Sequence, residues 1–262
     1  MVHSALLSPG INSTTTVSGG DGAFCHIDQN EPNIQISSYI YNDYYITNDS
    51  WANSNNVVIG VNAGEFINPT DYDSDNNILY GCFTPGSYSY ISDVGAANNT
   101  GSRAIPAFGG ATITTVRLSP NVINRVYFGL DNGSVVRVEN AHDATAAGVV
   151  VRMGAGSVSC ITLEAGNEDH ILVTYSNYGA NSVWETIDGG ANWTSIEGNL
   201  PDMPVRWIEF APGNNDQALV ATEMGVWSTD DLDGMTTDWG QPVKAWQARV
   251  WTCSYGVLRT RK

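Results

Sequence analysis

Positive charge is scarce in this chain. Lys and Arg together number 11 against 27 Asp and Glu, for a formal charge of −16. Such a surface repels phosphates and anionic headgroups, so neither nucleic acid nor a membrane surface is an expected partner. Charged residues of both signs reach only 15% beside 42% hydrophobic ones. The chain is therefore globular, with a polar surface drawn from Asn, Ser, Thr and Gly, all of which favour turns. Cysteine is equally sparse. Cys25, Cys82, Cys160 and Cys253 stand singly with no C-x-x-C pair, which argues against a zinc site and leaves one long-range disulfide open. No apolar run approaches the roughly 20 residues of a membrane-spanning helix. The start, Met1 to Leu7, lacks the basic flank and long apolar core of a signal peptide. There is no G-x-S-x-G elbow, P-loop or H-E-x-x-H. His3, His26, His142 and His170 form no ligand pattern.

Helical periodicity is nearly absent, and short alternating runs take its place. Ile113–Leu118, Arg125–Phe128, Ser134–Val138 and Trp207–Phe210 are rich in β-branched and aromatic residues and separated by Asn/Asp/Gly clusters. That pattern predicts antiparallel strands joined by tight turns. Asn132-Gly133 is a hairpin signal, since both residues tolerate positive φ. A repeat underlies these runs: strand, Pro/Asn turn, strand, Gly turn, and a third strand ending near Ser/Thr-x-Asp. Its turns at Pro32, Pro69, Pro120, Ala165 and Pro212 are spaced by 37, 51, 45 and 47 residues. A period of about 40–50 residues suits one four-stranded propeller blade. The expected fold is all-β, a propeller of about five blades, whole or partial. Residues 1–18 form an N-terminal segment and candidate blade-closing strand, 19–240 the repeats, and 241–262 an atypical tail.

One repeat end is specific. Thr186-Ile187-Asp188-Gly189-Gly190-Ala191-Asn192-Trp193 resembles the Asp-box, Ser/Thr-x-Asp-x-Gly-x-x-Trp, through Thr186, Asp188, Gly190 and Trp193. Ser228-x-Asp230 followed by Trp239 looks like a second, stretched copy, and Asp49 and Asp93 sit in weaker remnants. The stretch from Gly19 to Trp239 is similar to the sialidase-like repeat proteins, which include sortilin ectodomains and xyloglucanase-type glycoside hydrolases. The resemblance implies a structural box on the rim of a blade and an extracellular or cell-surface protein of the bacterial secreted type. The tail departs from the family pattern; a one-nucleotide shift of reading frame restores a family-like sequence, so it is expected to carry no inherited function.

Fold does not give function. The segment Ser18 to His26 places Asp21 among three glycines, and Asp21, Gly22 and His26 resemble a catalytic segment of the xyloglucanase type. Glycoside hydrolysis needs a second carboxylate, for which Glu65, Glu164 and Glu209 are candidates and none is singled out. Tyr41, Tyr44 and Trp51 are candidate platforms for sugar rings, with blade packing as the alternative. Asp71, Asp73 and Asp75 alternate like the start of a calcium loop but lack its Gly and distal Glu, so Ca2+ is possible and no cofactor is required. Two readings follow: a binding or scaffold propeller for carbohydrate or protein ligands, and a glycoside hydrolase using Asp21. Five repeats with an abrupt start leave open strand edges, so a homo-oligomer is expected.

Overall fold

The computed structural model describes residues 16–241; Cys253, most of the N-terminal segment and nearly all of the tail lie outside them. Nineteen strands and two 3-10 turns make up the described secondary structure. They form five antiparallel meanders in chain order. The first contains β1 (Cys25–Ile27), β2 (Gln35–Ser38), β3 (Asp43–Thr47) and β4 (Asn55–Val58), and the second β5 (Thr70–Asp73), β6 (Ile78–Cys82), β7 (Ser87–Ser92) and β8 (Asn99–Ala104). The third contains β9 (Ile113–Leu118), β10 (Val126–Leu130), β11 (Ser134–Glu139) and β12 (Ala147–Met153). The fourth has β13 (Val158–Glu164), β14 (Asn167–Tyr175), β15 (Val183–Thr186) and β16 (Thr194–Ser195). The fifth has three strands, β17 (Val205–Ala211), β18 (Asn214–Thr222) and β19 (Gly225–Thr229), with Gly240 bridging to Ser228. The chain divides between Ile105 and Pro106 into two compact units, a boundary that the repeat pattern does not mark.

Burial follows strand position. The second strands β6 and β10 are buried along their whole length, whereas the fourth strands β4, β8 and β12 are largely exposed. This is why β10 reads as an unbroken apolar run, Val126-Tyr127-Phe128-Gly129-Leu130, rather than an alternating one. Tyr44, Tyr80, Tyr88, Tyr127 and Tyr175 are core residues at 0–1% exposure. Among the described residues Cys25, Cys82 and Cys160 form no disulfide with one another.

Two third strands, β15 and β3, end in polar turns that share one hydrogen-bond plan. The Thr186 hydroxyl donates to Asp188 Oδ1 (2.8 Å) and accepts from the Gly190 N–H (3.0 Å); Asp188 accepts from Asn192 N (2.8 Å) and Nδ2 (2.7 Å). Thr47, Asp49, Trp51 and Asn53 repeat these four bonds at 2.8, 3.0, 2.8 and 2.7 Å. Gly189 and Gly190 sit at φ 69° and 96°, and Ser50 and Trp51 take the same places at 57° and 71°. The remnant at Asp49 is thus a complete turn that carries non-glycine residues in left-handed conformation. At the end of β19 the phase differs from Ser228-x-Asp230 by one residue. Thr229, 3% exposed like the 1% of Thr47 and Thr186, accepts from the Asp231 N–H at 3.2 Å. Strand alternation decides the phase, because the box threonine must point into the sheet stack. Thr186→Val and Thr47→Val are each expected to cost about 1–3 kcal/mol, since each orphans buried N–H donors. Thr229→Val should cost less, and urea unfolding that ranks Thr229 first would contradict the assignment.

Within the second unit two tryptophans tie each sheet to the one before it. Trp193 Nε1 donates to Val151 O of β12 (2.9 Å), and Trp239 Nε1 to Ile196 O just after β16 (2.8 Å). Hydroxyls of the first strands add further ties: Thr114 Oγ1 to Val158 O (2.7 Å), Ser159 Oγ to Val205 O (2.6 Å) and Thr162 Oγ1 to Ile208 O (2.6 Å).

Candidate functional site

In the first unit a buried polar network underlies an exposed aromatic edge. Asn42, 1% exposed, accepts at Oδ1 from Tyr44 OH (2.9 Å), Asn68 Nδ2 (2.9 Å) and Ser89 Oγ (2.8 Å). Its amide donates to Ala63 O (3.0 Å) and Cys82 O (2.8 Å). Asn68, 0% exposed, accepts the Glu65 N–H at 3.0 Å. The two asparagines thereby fix the turn Tyr39–Asn42 and the loop 59–69 to each other. Gly64 is required in that loop: at φ +87° a Cβ would fall 2.6 Å from Asn42 Nδ2 and 2.7 Å from Asn68 Oδ1.

The pinned loops present Tyr41, Phe66 and Ile67. The Tyr41 N–H donates to Phe66 O (3.2 Å), and the two rings meet edge to face with centroids 5.8 Å apart. Tyr41 holds φ at 56°, a conformation that a bulky residue keeps only when its surroundings impose it. Phe66 and Ile67 are 46% and 51% exposed, and Val61 in the same loop 91%. An apolar surface held open by buried hydrogen bonds is preorganised, which lowers the ordering cost of binding.

Other sequence candidates occupy different settings. Asp21 is exposed in a loop whose Gly20, at φ +106°, lies so close to Tyr39 that a Cβ would meet the ring at 2.7 Å. His26 is buried; its Nε2 shares a hydrogen bond of 2.9 Å with Thr70 Oγ1, and burial pushes its pKa down to about 4. Tyr44 is 0% exposed and bonds Asn42, so its ring has no free face for a sugar. Trp51 is half-buried, with Nε1 on Gln35 Oε1 at 2.6 Å. Asp73 caps its own turn by accepting from Asp75 N and Asn76 N, Asp71 accepts from Tyr72 N, and Asp75 from Asn30 Nδ2. Among the described residues no group of three His, Cys, Asp or Glu is arranged to hold a metal ion.

In the second unit the candidate carboxylates are engaged. His170, 6% exposed, lies between Glu164 Oε2 (2.8 Å, on Nδ1) and Glu185 Oε1 (2.9 Å, on Nε2), with the Phe210 ring edge-on at 4.7 Å. Burial alone would lower the imidazole pKa; hydrogen bonds and charge from the two glutamates outweigh it and raise the value. Glu164 also accepts from Asn215 Nδ2 of β18 (2.7 Å). Because its two nitrogens face different carboxylates, His170 serves as a cationic clamp rather than a metal ligand. Glu209 pairs with Arg117 (3.6 Å) and accepts from Trp207 Nε1 (2.9 Å). Sequence reading missed both the clamp and the Asn42–Asn68 network, whose members are separated by 26 residues and look like turn residues.

Five antiparallel meanders in chain order are blades of a β-propeller fold, whole or partial. No family model matches the sequence, and no curated protein does. Solved structures do match. YCF48 from Cyanidioschyzon merolae is 13% identical with a TM-score of 0.55, over 85% of this chain and 70% of that one. The Cps50 (Swd1) β-propeller domain from Myceliophteria thermophila is 11% identical with a TM-score of 0.62, over 88% and 74%. The WD40 β-propeller domain of Doa1 is 11% identical with a TM-score of 0.57, over 84% and 69%. Identities this low carry the fold and leave the function to the chain's own residues.

Proposed function

We propose that this chain is a non-catalytic binding module of the Asp-box type, secreted or displayed at a cell surface, and that the Tyr41–Phe66–Ile67 face receives a protein partner. The carrying observation is the fully satisfied Asn42–Asn68 network, which fixes the exposed Phe66 against a half-buried Tyr41 at a strained backbone position. Aromatic anchors on a rigid base are what protein interfaces use as hot spots. Two of the carboxylates proposed for acid–base work support the same reading. Glu164 and Glu209 are already committed, to His170 and Asn215 and to Arg117 and Trp207.

A carbohydrate reading is favoured by one observation, the exposed Asp21 in a glycine loop beside the Tyr39 ring. The two readings separate experimentally. For a protein partner, Phe66→Asp is expected to weaken capture of a defined binding partner at least tenfold while Asp21→Asn leaves it unchanged. The circular dichroism spectrum should stay that of the parent. On a glycan array and a chromogenic glycoside panel the parent should be silent. Glycan binding or hydrolysis that disappears in Asp21→Asn would replace the protein reading with the carbohydrate one.

A further inference from the structure

Arg152 on β12 is 8% exposed and has no acidic partner among the described residues. Its Nε donates to Tyr175 OH (2.8 Å), and that hydroxyl donates onward to Gly133 O (3.0 Å). The guanidinium lies over the Trp184 ring at 3.9 Å, with Trp193 at 5.0 Å and Tyr175 at 5.5 Å. Nη1 and Nη2 make no hydrogen bond to any described residue, and neither is sealed from solvent.

This arrangement differs from that of four other described arginines. Arg117, Arg125, Arg137 and Arg206 each pair with a glutamate. A chain with 27 acidic residues does not lack carboxylates to offer. Stacking on tryptophan offsets part of the cost of burying a cation, but it leaves the in-plane N–H donors of the guanidinium unused. An uncompensated buried charge is a standing cost, and such costs concentrate where a ligand relieves them.

We infer that Arg152 is an anchor for a carboxylate, supplied by an acidic segment of a partner protein and received end-on by Nη1 and Nη2. The Tyr175 bond to Nε fixes the plane of the fork and blocks side-on pairing, which leaves a two-pronged edge matched to two carboxylate oxygens. A single arginine in a chain of charge −16 suits one negative charge better than the two of a phosphomonoester. Val149, Val150 and Met153 of the same strand are 51%, 41% and 82% exposed, so apolar residues flanking the acid gain contact area. The site draws on other residues than the Tyr41–Phe66 face, and neither proposal rests on the other.

The test follows the indole N–H resonances of Trp184 and Trp193 in the full chain, referenced to the resonance of an added inert standard. The titrants are acetate, inorganic phosphate and chloride at matched ionic strength, and the tripeptide acetyl-Leu-Glu-Leu-amide beside its Gln counterpart. Acetate and the Glu peptide are expected to shift Trp184 and Trp193 saturably, the peptide at least tenfold more tightly than acetate. Chloride and the Gln peptide should leave them in place. Arg152→Gln, which keeps a donor towards Tyr175, should weaken the Glu peptide at least tenfold. Shifts that follow ionic strength alone, phosphate binding as tight as acetate, or Glu and Gln peptides that bind alike would overturn the inference. The peptide comparison is made on the parent protein, so it decides even if the variant does not fold.

Discussion

Trp239→Ala is expected to destabilise the second unit by about 3–5 kcal/mol, the range for deleting a large buried aromatic. Trp239 is 1% exposed and packs with Ile196, Leu200, Met203, Val205 and Val220. Its Nε1 bond to Ile196 O and its N–H bond to Asn199 Oδ1 (2.7 Å) fasten the chain beyond β19 to the blade before it. The alanine therefore opens a cavity and orphans a buried carbonyl. Trp51→Ala, at a half-buried site with a single side-chain bond to Gln35, is the contrasting variant and should cost far less. Urea unfolding measures both. A Trp239→Ala midpoint close to the parent's would mean that the two blades are held by something other than this side chain.

Much of this seat was legible in the sequence. The recurring Pro/Asn turn set the repeat, the alternating β-branched and aromatic runs marked strands, and the Thr186–Trp193 motif marked the end of one. Phase was harder to read. Ser228-Thr229-Asp230-Asp231 offers two overlapping Ser/Thr-x-Asp readings, and only strand alternation, with Thr229 facing inward, chooses between them. The Thr47 turn was obscured for the opposite reason. Ser50 and Trp51 occupy places where glycine is the usual signal, and the hydrogen bonds from Asn53 and to Thr47 hold them there. Function was least legible, because the groups that define both candidate sites come from distant strands. Asn42 and Asn68 read as loop asparagines until their amides meet, and Arg152 reads as one more polar residue on an outer strand until Trp184 is found beneath it.

Protonation should move the two units in opposite directions. His26 is buried with a folded pKa of about 4, below the unfolded value of about 6.5. Above pH 6.5 both states hold the neutral ring, and His26 adds no pH dependence. Between pH 6.5 and 4 the unfolded chain takes up a proton that the folded chain refuses, so stability falls, by roughly 3 kcal/mol at pH 4. His170 has the reverse sign. Its folded pKa is raised by Glu164 and Glu185, so its contribution is complete below the unfolded pKa and is lost as pH rises through the folded one. Carboxylates such as Asp188, held down to about 2 by Asn192 and Thr186, also weaken the fold in acid. They do so equally in parent and variant, so the difference between the two isolates the histidine. The parent minus His26→Gln difference in unfolding free energy is expected to shrink as pH falls from 7 to 4. The parent minus His170→Gln difference should instead shrink as pH rises above neutrality. A His26→Gln difference that is flat across this range would mean that the buried imidazole titrates normally, and that the core between β1 and β5 admits water.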